Sequence, residues 1–256
     1  MAEYDRQTLN ARAGSALAID EGLRSYMLRV YNYMGLGLVI TGLVAYFAAQ
    51  AAITNDPSAA VGQMANGQYV TQWGALLFGS PLSWVVMLAP LAFVLVLSFG
   101  INKLSVPAAQ GVFWAFAAIM GLSLSSIFLV YTGASIAKVF FITAATFGTM
   151  SLYGYTTKRD LSGMGSFLMM GLIGIIIASI VNIFMQSSMM EFVISVVGVL
   201  IFTGLTAYDT QRIKESYSEQ YGADVMAKNA IMGALSLYLN FINLFMMLLR
   251  LFGNRE

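Results

Sequence analysis

The sequence predicts an all-α integral membrane protein with about seven transmembrane helices. Of its 256 residues, 59% are hydrophobic and only 10% are charged, whereas ordinary soluble domains carry about 25% charged residues. The apolar residues are concentrated in runs close to the roughly 20 residues that a helix needs to cross the bilayer core. A soluble chain of this length cannot bury so many helices on every side, so the membrane is the predicted environment.

Each apolar run is bounded by polar or helix-breaking residues. The predicted spans are residues 27–50, 83–101, 108–131, 137–156, 163–185, 191–209 and 229–251. Residues 51–82 form the longest loop, with a short interfacial stretch near 69–78. Pro107 suits the first turn of the third helix, and the sixth helix can extend into water through Lys214.

Loop charges predict the orientation of these helices. With the N-terminus in the cytoplasm, ten of the 13 basic residues fall on the inner side, three fall on the outer side, and the long loop has no Lys or Arg. This is the positive-inside bias. Residues 1–25 are then a polar cytoplasmic segment, and residues 26–253 are the seven-helix transmembrane domain. We expect the last helix to cross fully; a re-entrant helix would place Arg250 and Arg255 inside.

The residue types that the chain lacks exclude several kinds of chemistry. It contains no His and no Cys, which removes disulfides, thiolate nucleophiles and imidazole ligation or acid–base catalysis. Its 13 basic and 12 acidic residues leave no charge excess of the kind that binds nucleic acid. Residues 1–24 do not resemble a secretory signal. We therefore expect no cofactor, no nucleic-acid partner and no enzymatic activity.

Polar side chains at membrane depth are the candidates for function, because an unpaired polar group there is costly. Asp209 lies at the inner end of the sixth span, on a broad helix face that it shares with Thr206. In the last span, Ser236, Asn240 and Asn243 are spaced by four and three residues, on one side of an apolar helix. Two such stripes on consecutive helices can meet and form a hydrated constriction that attracts cations.

Plainer interpretations of these residues remain open. Asp209 can be a boundary residue that pairs with Arg212, one turn further on, and touches headgroup water. Asn240 and Asn243 can simply fix helix packing through interhelical hydrogen bonds. Lys103, after the second span, can be a determinant of topology.

Five ordered segments of the sequence resemble the Bax inhibitor-1 family, and specifically its bacterial branch. They read RVYNYMGLGLVITGLVAYFAA, GLSLSSIFLVY, FFITAATFGTMSLYGYTTKRDLSGMGSFL, AYDTQRIK and ALSLYLNFINLFMMLLRLFG, and the resemblance covers about residues 26–253. It implies seven helices with the last held centrally by the others. It also implies a pH-sensitive calcium leak channel of the bacterial inner membrane. In that channel, two Asp residues on the sixth and seventh helices share a proton at an inner gate, and a basic residue at the inner end of the second helix latches the first Asp.

Carried onto this chain, the resemblance assigns the sixth-helix Asp to Asp209 in AYDTQRIK and the latch to a position near Lys103. The seventh-helix position falls at Asn240, which departs from the family pattern because Asn cannot ionise. Two adjacent carboxylates repel and so form a proton switch, which a single carboxylate lacks. Asp209 with amide oxygens is also a weak, transient calcium site, because calcium prefers six to eight oxygen ligands.

Three functions from different classes follow. The leading hypothesis is a cation leak, with calcium the expected ion, gated where Asp209, Asn240 and Lys103 converge. The second is a regulatory membrane protein that acts through protein partners such as a membrane protease, with the polar N-terminus and the loop 214–228 as docking surfaces. An intramembrane enzyme ranks last, because a rhomboid-like site needs a His and an aspartyl protease needs two intramembrane Asp residues.

Overall fold

The chain is folded almost entirely into α-helices. A computed structural model describes residues 2–63 and 67–254, with side chains from Glu21 onward in those ranges. The α-helices are α1 (Ala2–Ala52), α2 (Gln72–Gly79), α3 (Leu82–Gly100), α4 (Val106–Leu124), α5 (Ile127–Val130), α6 (Gly133–Thr156), α7 (Ser162–Met185), α8 (Ser188–Glu215) and α9 (Ala223–Phe252). By length and composition, seven of these segments can cross a membrane, with α4 and α5 counted as one. The predicted fold class and number of spans are confirmed. The side chains of residues 1–20 and of Arg255, whose charges entered the prediction of orientation, lie outside the part of the chain that the structure describes.

The predicted long loop between the first two spans has a structure of its own. Strands β1 (Ile53–Thr54), β2 (Gly62–Gln63) and β3 (Tyr69–Val70) form a small antiparallel sheet in the order β1-β3-β2. The stretch predicted to be interfacial consists of β3 and the short helix α2. Thr71 caps α2 by accepting a hydrogen bond from the backbone of Gly74, which satisfies one of the unpaired N–H groups of the first turn.

Local side-chain chemistry marks the ends of several helices. Ser105 caps α4 just before Pro107, in the first turn where Pro is best tolerated. Helix α7 ends at Gln186 in the left-handed conformation, and Ser187 then caps α8. The third span departs from the prediction of one continuous helix. It breaks after Leu124 because the buried Ser125 donates its hydroxyl to a carbonyl three residues earlier, which competes with the helical hydrogen bonds.

Helix α9 is the most buried of the spanning helices and packs on α8, α1, α6 and α4. Near its middle, the buried Tyr238 packs edge-on against the rings of Phe113 and Phe116. Its hydroxyl lies 2.6 Å from that of Thr41, which donates in turn to the carbonyl of Ala117. Buried polar groups are strongly disfavoured unless paired, so this network fixes α9 against α1 and α4. The predicted central position of the last helix is confirmed.

The far end of α9 is tied to the start of α6. The backbone carbonyl of Asn254 accepts from Thr132, and the Asn254 backbone N–H donates to the hydroxyl of Ser135. Helix α9 is an unbroken helix of 30 residues, about 45 Å long, which is more than the bilayer core requires. Because helices alternate in direction, the start of α6 and the end of α9 belong on the same side of the bundle, as a full crossing by α9 requires.

Candidate functional site

The site lies where the end of α8 meets the first half of α9, at the end of the bundle that the loop charges predict to be cytoplasmic. The buried side chain of Gln211 holds α8 in place there. Its amide oxygen accepts from the backbone of Leu161, and its amide nitrogen donates to the carbonyl of Arg159. Lys214 donates to the carbonyl of Tyr155 at 2.8 Å. These bonds join α8 to the turn between α6 and α7, so the position of Asp209 on α8 is well defined.

Asp209 faces α9 and is only 7% exposed. One carboxylate oxygen, Oδ2, accepts from the hydroxyl of Ser236 at 2.9 Å and from the side-chain amide of Asn240 at 2.8 Å. The other oxygen, Oδ1, lies 3.2 Å from a guanidinium nitrogen of Arg212. An ionised carboxylate only accepts hydrogen bonds, so these three groups compensate much of the cost of burying it.

Arg212 pairs with Asp209 from one turn further along the same helix, at the i, i+3 spacing at which side chains meet. Its side chain is 57% exposed, and its guanidinium also lies over the ring of Tyr208, 5.7 Å from the ring centre. The sequence offered a paired boundary residue and an inward-facing gate as alternatives for Asp209. The structure combines the contacts of both, because Asp209 pairs with Arg212 and also contacts the last helix.

Two cavities meet at this pair. The first, which we call the crevice, has a volume of about 730 Å³ and lies among α7, α8 and α9, with Leu91 of α3 at its edge. The second, the vestibule, has a volume of about 470 Å³ and lies among α3, the end of α8 and the beginning of α9. Arg212, Ser236 and Leu239 line both cavities. These three side chains therefore form the partition between the cavities, with Asp209 on its crevice side.

Among the predicted site residues, Lys103 does not reach the carboxylate. It is exposed in the turn that follows α3, and among the described residues the ion pair of Asp209 is made with Arg212 instead. The expected convergence of Lys103 on Asp209 is therefore wrong in this structure. The reason is packing: α3 lies on α2 and α4 rather than on α8. The i, i+3 spacing in the sequence was the signal that identified Arg212.

The other polar residues of the two stripes separate in the fold. Thr206 is fully buried and donates its hydroxyl to the carbonyl of Phe202, within its own helix. Asn243 lines the crevice beside Asn240, and its amide nitrogen donates to the carbonyl of Leu239. Ser236, Asn240 and Asn243 thus belong to the cavity walls, whereas Thr206 is satisfied within its own helix and lines neither cavity.

The oxygen atoms at the site favour passing contact with a cation over tight binding. Within the described ranges, no group of three or more His, Cys, Asp or Glu side chains is placed to hold a metal ion. Asp209 supplies the only carboxylate of the crevice wall, and Asn240 and Asn243 supply amide oxygens. Tight calcium sites use six to eight oxygen ligands, so this arrangement suits a weak and transient contact.

The fold and this site together define a class: a helical integral membrane protein with one buried carboxylate beside its central last helix. Residues 23–256 match the family described as Inhibitor of apoptosis-promoting Bax1. The chain is 47% identical to the inner membrane protein YbhL of Escherichia coli K12 over 248 residues, which is 96% of this chain and 98% of that protein.

Two further relatives cover nearly the whole chain. One is an uncharacterized protein of Caulobacter vibrioides, 48% identical over 242 residues, or 94% of this chain and 93% of the relative. The other is the uncharacterized protein RP147 of Rickettsia prowazekii, 46% identical over 237 residues, or 93% of this chain and 92% of the relative. This chain belongs to the Bax inhibitor-1 family of membrane proteins.

Proposed function

We propose that this protein is a non-enzymatic cation leak pathway of the bacterial inner membrane, with calcium as the expected ion. In this mechanism Asp209 attracts the cation, and Arg212 is the resident positive charge that a passing cation displaces. The observation that carries the proposal is the placement of one buried carboxylate at the partition between two cavities. Intramembrane carboxylates of this kind commonly mark ion pathways.

The geometry of the ion pair makes Arg212 its movable member. The Arg212 side chain is more than half exposed, whereas Asp209 is buried, and Arg212 also lines the vestibule. Its guanidinium can therefore swing into the vestibule when an arriving cation replaces its charge beside the carboxylate, which would otherwise be left buried without a counter-charge. Asp209, in contrast, keeps its hydrogen bonds from Ser236 and Asn240 when Arg212 leaves. The carboxylate remains in place to meet the incoming cation.

The response to pH should be weaker than the two-Asp pair of the family resemblance implies. Asn240 donates a hydrogen bond to Asp209 and carries no titratable proton, so the repulsion between two carboxylates is missing. The variant Asn240→Asp brings back two adjacent carboxylates, which repel each other unless they share a proton. We expect this variant to gain a flux that changes steeply with pH, where the wild type changes little.

The decisive test is calcium flux into liposomes that contain purified protein and an internal calcium indicator. Asp209→Asn should lower the flux, because the charge that attracts the cation is lost. Arg212→Gln should raise it, because the competing resident cation is lost, and the double variant should behave like Asp209→Asn. Asp224→Asn is the matched control: this exposed Asp lies in the first turn of α9, and its loss should leave the flux unchanged.

The outcomes distinguish the roles of the two residues. Equal flux in the wild type and Asp209→Asn would remove the carboxylate from the mechanism. Reduced flux in Arg212→Gln would mean that Arg212 supports the open path instead of occupying it. No flux above that of empty liposomes, from protein that is folded in the membrane, would refute the leak itself.

The alternative proposal is a regulatory protein that acts through a membrane-protein partner. The loop between α8 and α9 supports it, because that loop exposes Tyr221 among polar residues, and exposed aromatic residues are common in protein interfaces. The two proposals separate experimentally. Absence of flux together with a specific partner, whose binding is lost in Tyr221→Ser, favours regulation.

A further inference from the structure

The crevice beside Asp209 opens sideways, towards the lipid. Its two edges are formed by α3 and α7. Helix α3 packs mainly on α2 and α4, and α7 packs mainly on α8, so the side of the crevice between α3 and α7 is left open. The residues at the edges, Leu91, Ile176 and Ile180, are each more than half exposed although they line the crevice. A molecule dissolved in the bilayer can therefore enter between α3 and α7 without passing through water.

The two sides of the crevice differ in chemistry. The outer side is mostly aliphatic, with the hydroxyl of Ser179 as its polar group, whereas the inner side presents Asp209, Asn240 and Asn243. On α9, residues 240 and 243 are three apart and so lie on one face of the helix. A ligand that matches both sides must carry a long apolar part and a compact polar group.

The inner side offers hydrogen-bond acceptors that have no donor. Asn240 is only 6% exposed, and its amide nitrogen is used by Asp209. Asn243 similarly donates its amide nitrogen to Leu239. Neither amide oxygen accepts a hydrogen bond from any residue that the structure describes. Both side chains line the crevice, so their amide oxygens can accept a hydrogen bond from a molecule that enters it.

We propose that the crevice is a binding site for lipophilic primary amines. The ammonium group donates to Asp209 and to the amide oxygens of Asn240 and Asn243, and the alkyl tail lies between α3 and α7. An ammonium carries three N–H donors and one positive charge, which matches one carboxylate and two carbonyl oxygens. Arg212 is the charged group that competes with it, and its exposed side chain can move into the vestibule.

Other bilayer components fit this site less well. A plain alkyl chain leaves the two amide oxygens unpaired, and a phosphate headgroup brings negative charge and acceptor oxygens against a carboxylate. A quaternary ammonium has the charge but no N–H donor. Amine binding shares Asp209 with the proposed leak, but it can be measured without any flux, so the two proposals can fail separately.

The test is photolabelling of the purified full-length protein in phosphatidylcholine nanodiscs. The probe is dodecylamine that carries a diazirine on its alkyl chain, used at pH 7, where an alkylamine is protonated. Labelled residues are located by mass spectrometry and should fall on α7 and around Leu91. Unlabelled dodecylamine should compete at concentrations about tenfold lower than dodecanol, which lacks the charge, or dodecyltrimethylammonium, which lacks the N–H donors.

Two pairs of variants make the test specific. Ile180→Trp fills the crevice and should reduce labelling at least fivefold, whereas Ile177→Trp, on an exposed part of the same helix outside the crevice, should not. Asn243→Leu removes one of the three acceptors and should narrow the difference in competing concentration between dodecylamine and dodecanol. Equal competition by dodecanol in the wild type would show that the crevice merely holds alkyl chains, and equal competition by dodecyltrimethylammonium would show attraction by charge alone. Either result, or labelling spread evenly over all exposed helices, overturns the proposal.

Discussion

Gly154 of α6 lies against the backbone of α8, and the substitution Gly154→Ala is a direct test of the packing that positions the site. A Cβ at Gly154 would overlap the carbonyl oxygen of Ala207 and lie 2.9 Å from its Cα. Real Cβ atoms do not approach backbone atoms this closely, and backbone cannot rotate away as a side chain can. The two helices must therefore separate, two residues away from Asp209.

The size of the effect follows from comparison with Gly148 on the same helix. A Cβ at Gly148 has no atom within 4 Å, so Gly148→Ala adds only the higher helix propensity of Ala, worth up to about 1 kcal/mol. Gly154→Ala gains the same propensity but adds the overlap, and overpacking of this kind costs about 1–3 kcal/mol. The propensity gain cancels between the two variants. We expect Gly154→Ala to be less stable than Gly148→Ala by about 1–3 kcal/mol.

Reversible unfolding in mixed micelles of dodecylmaltoside and sodium dodecyl sulfate, followed by far-UV circular dichroism, measures this difference. Calcium flux into liposomes, measured on the same two proteins, reports whether the displaced α8 disturbs Asp209. If Gly154→Ala proves as stable as Gly148→Ala, α6 and α8 are not in backbone contact near Ala207, and the close packing of these helices beside Asp209 is wrong.

Three further predictions concern individual side chains and the hydrogen bonds that they make. Tyr238→Phe removes the buried bond to Thr41 and should lower the free energy of unfolding by about 1 kcal/mol, measured in the same micelles; an increase would contradict the network that fixes α9. Gln211→Leu leaves a buried backbone N–H and a carbonyl of the α6–α7 turn without partners. Because an unpaired buried group costs about 1–3 kcal/mol, hydrogen exchange of the backbone amides in that turn should accelerate at least tenfold. Unchanged exchange would refute the role of Gln211. Hydrogen bonds from the backbone N–H and the hydroxyl of Ser162 lower the pKa of Asp160. The ionised form of Asp160 therefore stabilises the fold at pH values above the ordinary Asp pKa of about 4. This contribution is lost as the pH falls through the lowered pKa. The melting temperature of Asp160→Asn should thus lie below that of the wild type at pH 7 and approach it at acid pH, and a constant difference would exclude this cause.

The helical framework could be predicted because its signals are local and strong. Apolar runs of about 20 residues located all seven spans, and Pro107 marked the start of the third helix correctly. Helix α8 extends beyond the predicted span end to Glu215, as the polar residues after Asp209 allowed. The break at Ser125 was missed because a Ser within an apolar run has no fixed effect on a helix. It interrupts the helix only if the surrounding packing tolerates the competing hydrogen bond.

The site itself was predicted in part. Helical spacing placed Ser236 and Asn240 on one face of the last helix, and both contact Asp209. The same spacing placed Thr206 on a broad face with Asp209. A face that wide contacts more than one neighbouring helix, and Thr206 is buried away from the cavities, with its hydroxyl bonded to Phe202 of its own helix. Lys103 was misplaced because contacts between distant segments depend on how helices pack, and no local pattern records that α3 lies away from α8.

In the proposed leak, Asn240 stands where the family resemblance implies a second Asp, and its hydrogen bond to Asp209 explains what this changes. Two carboxylates can bond to each other only while they share a proton, so a two-Asp contact is lost when that proton leaves. Asn240 supplies its hydrogen from an amide, which does not titrate. The contact between α8 and α9 therefore does not depend on a shared proton. The partner of the carboxylate that can move away is instead the exposed Arg212. In the proposed leak, the cation that occupies the carboxylate, either the arginine or an arriving ion, should therefore matter more than the proton concentration.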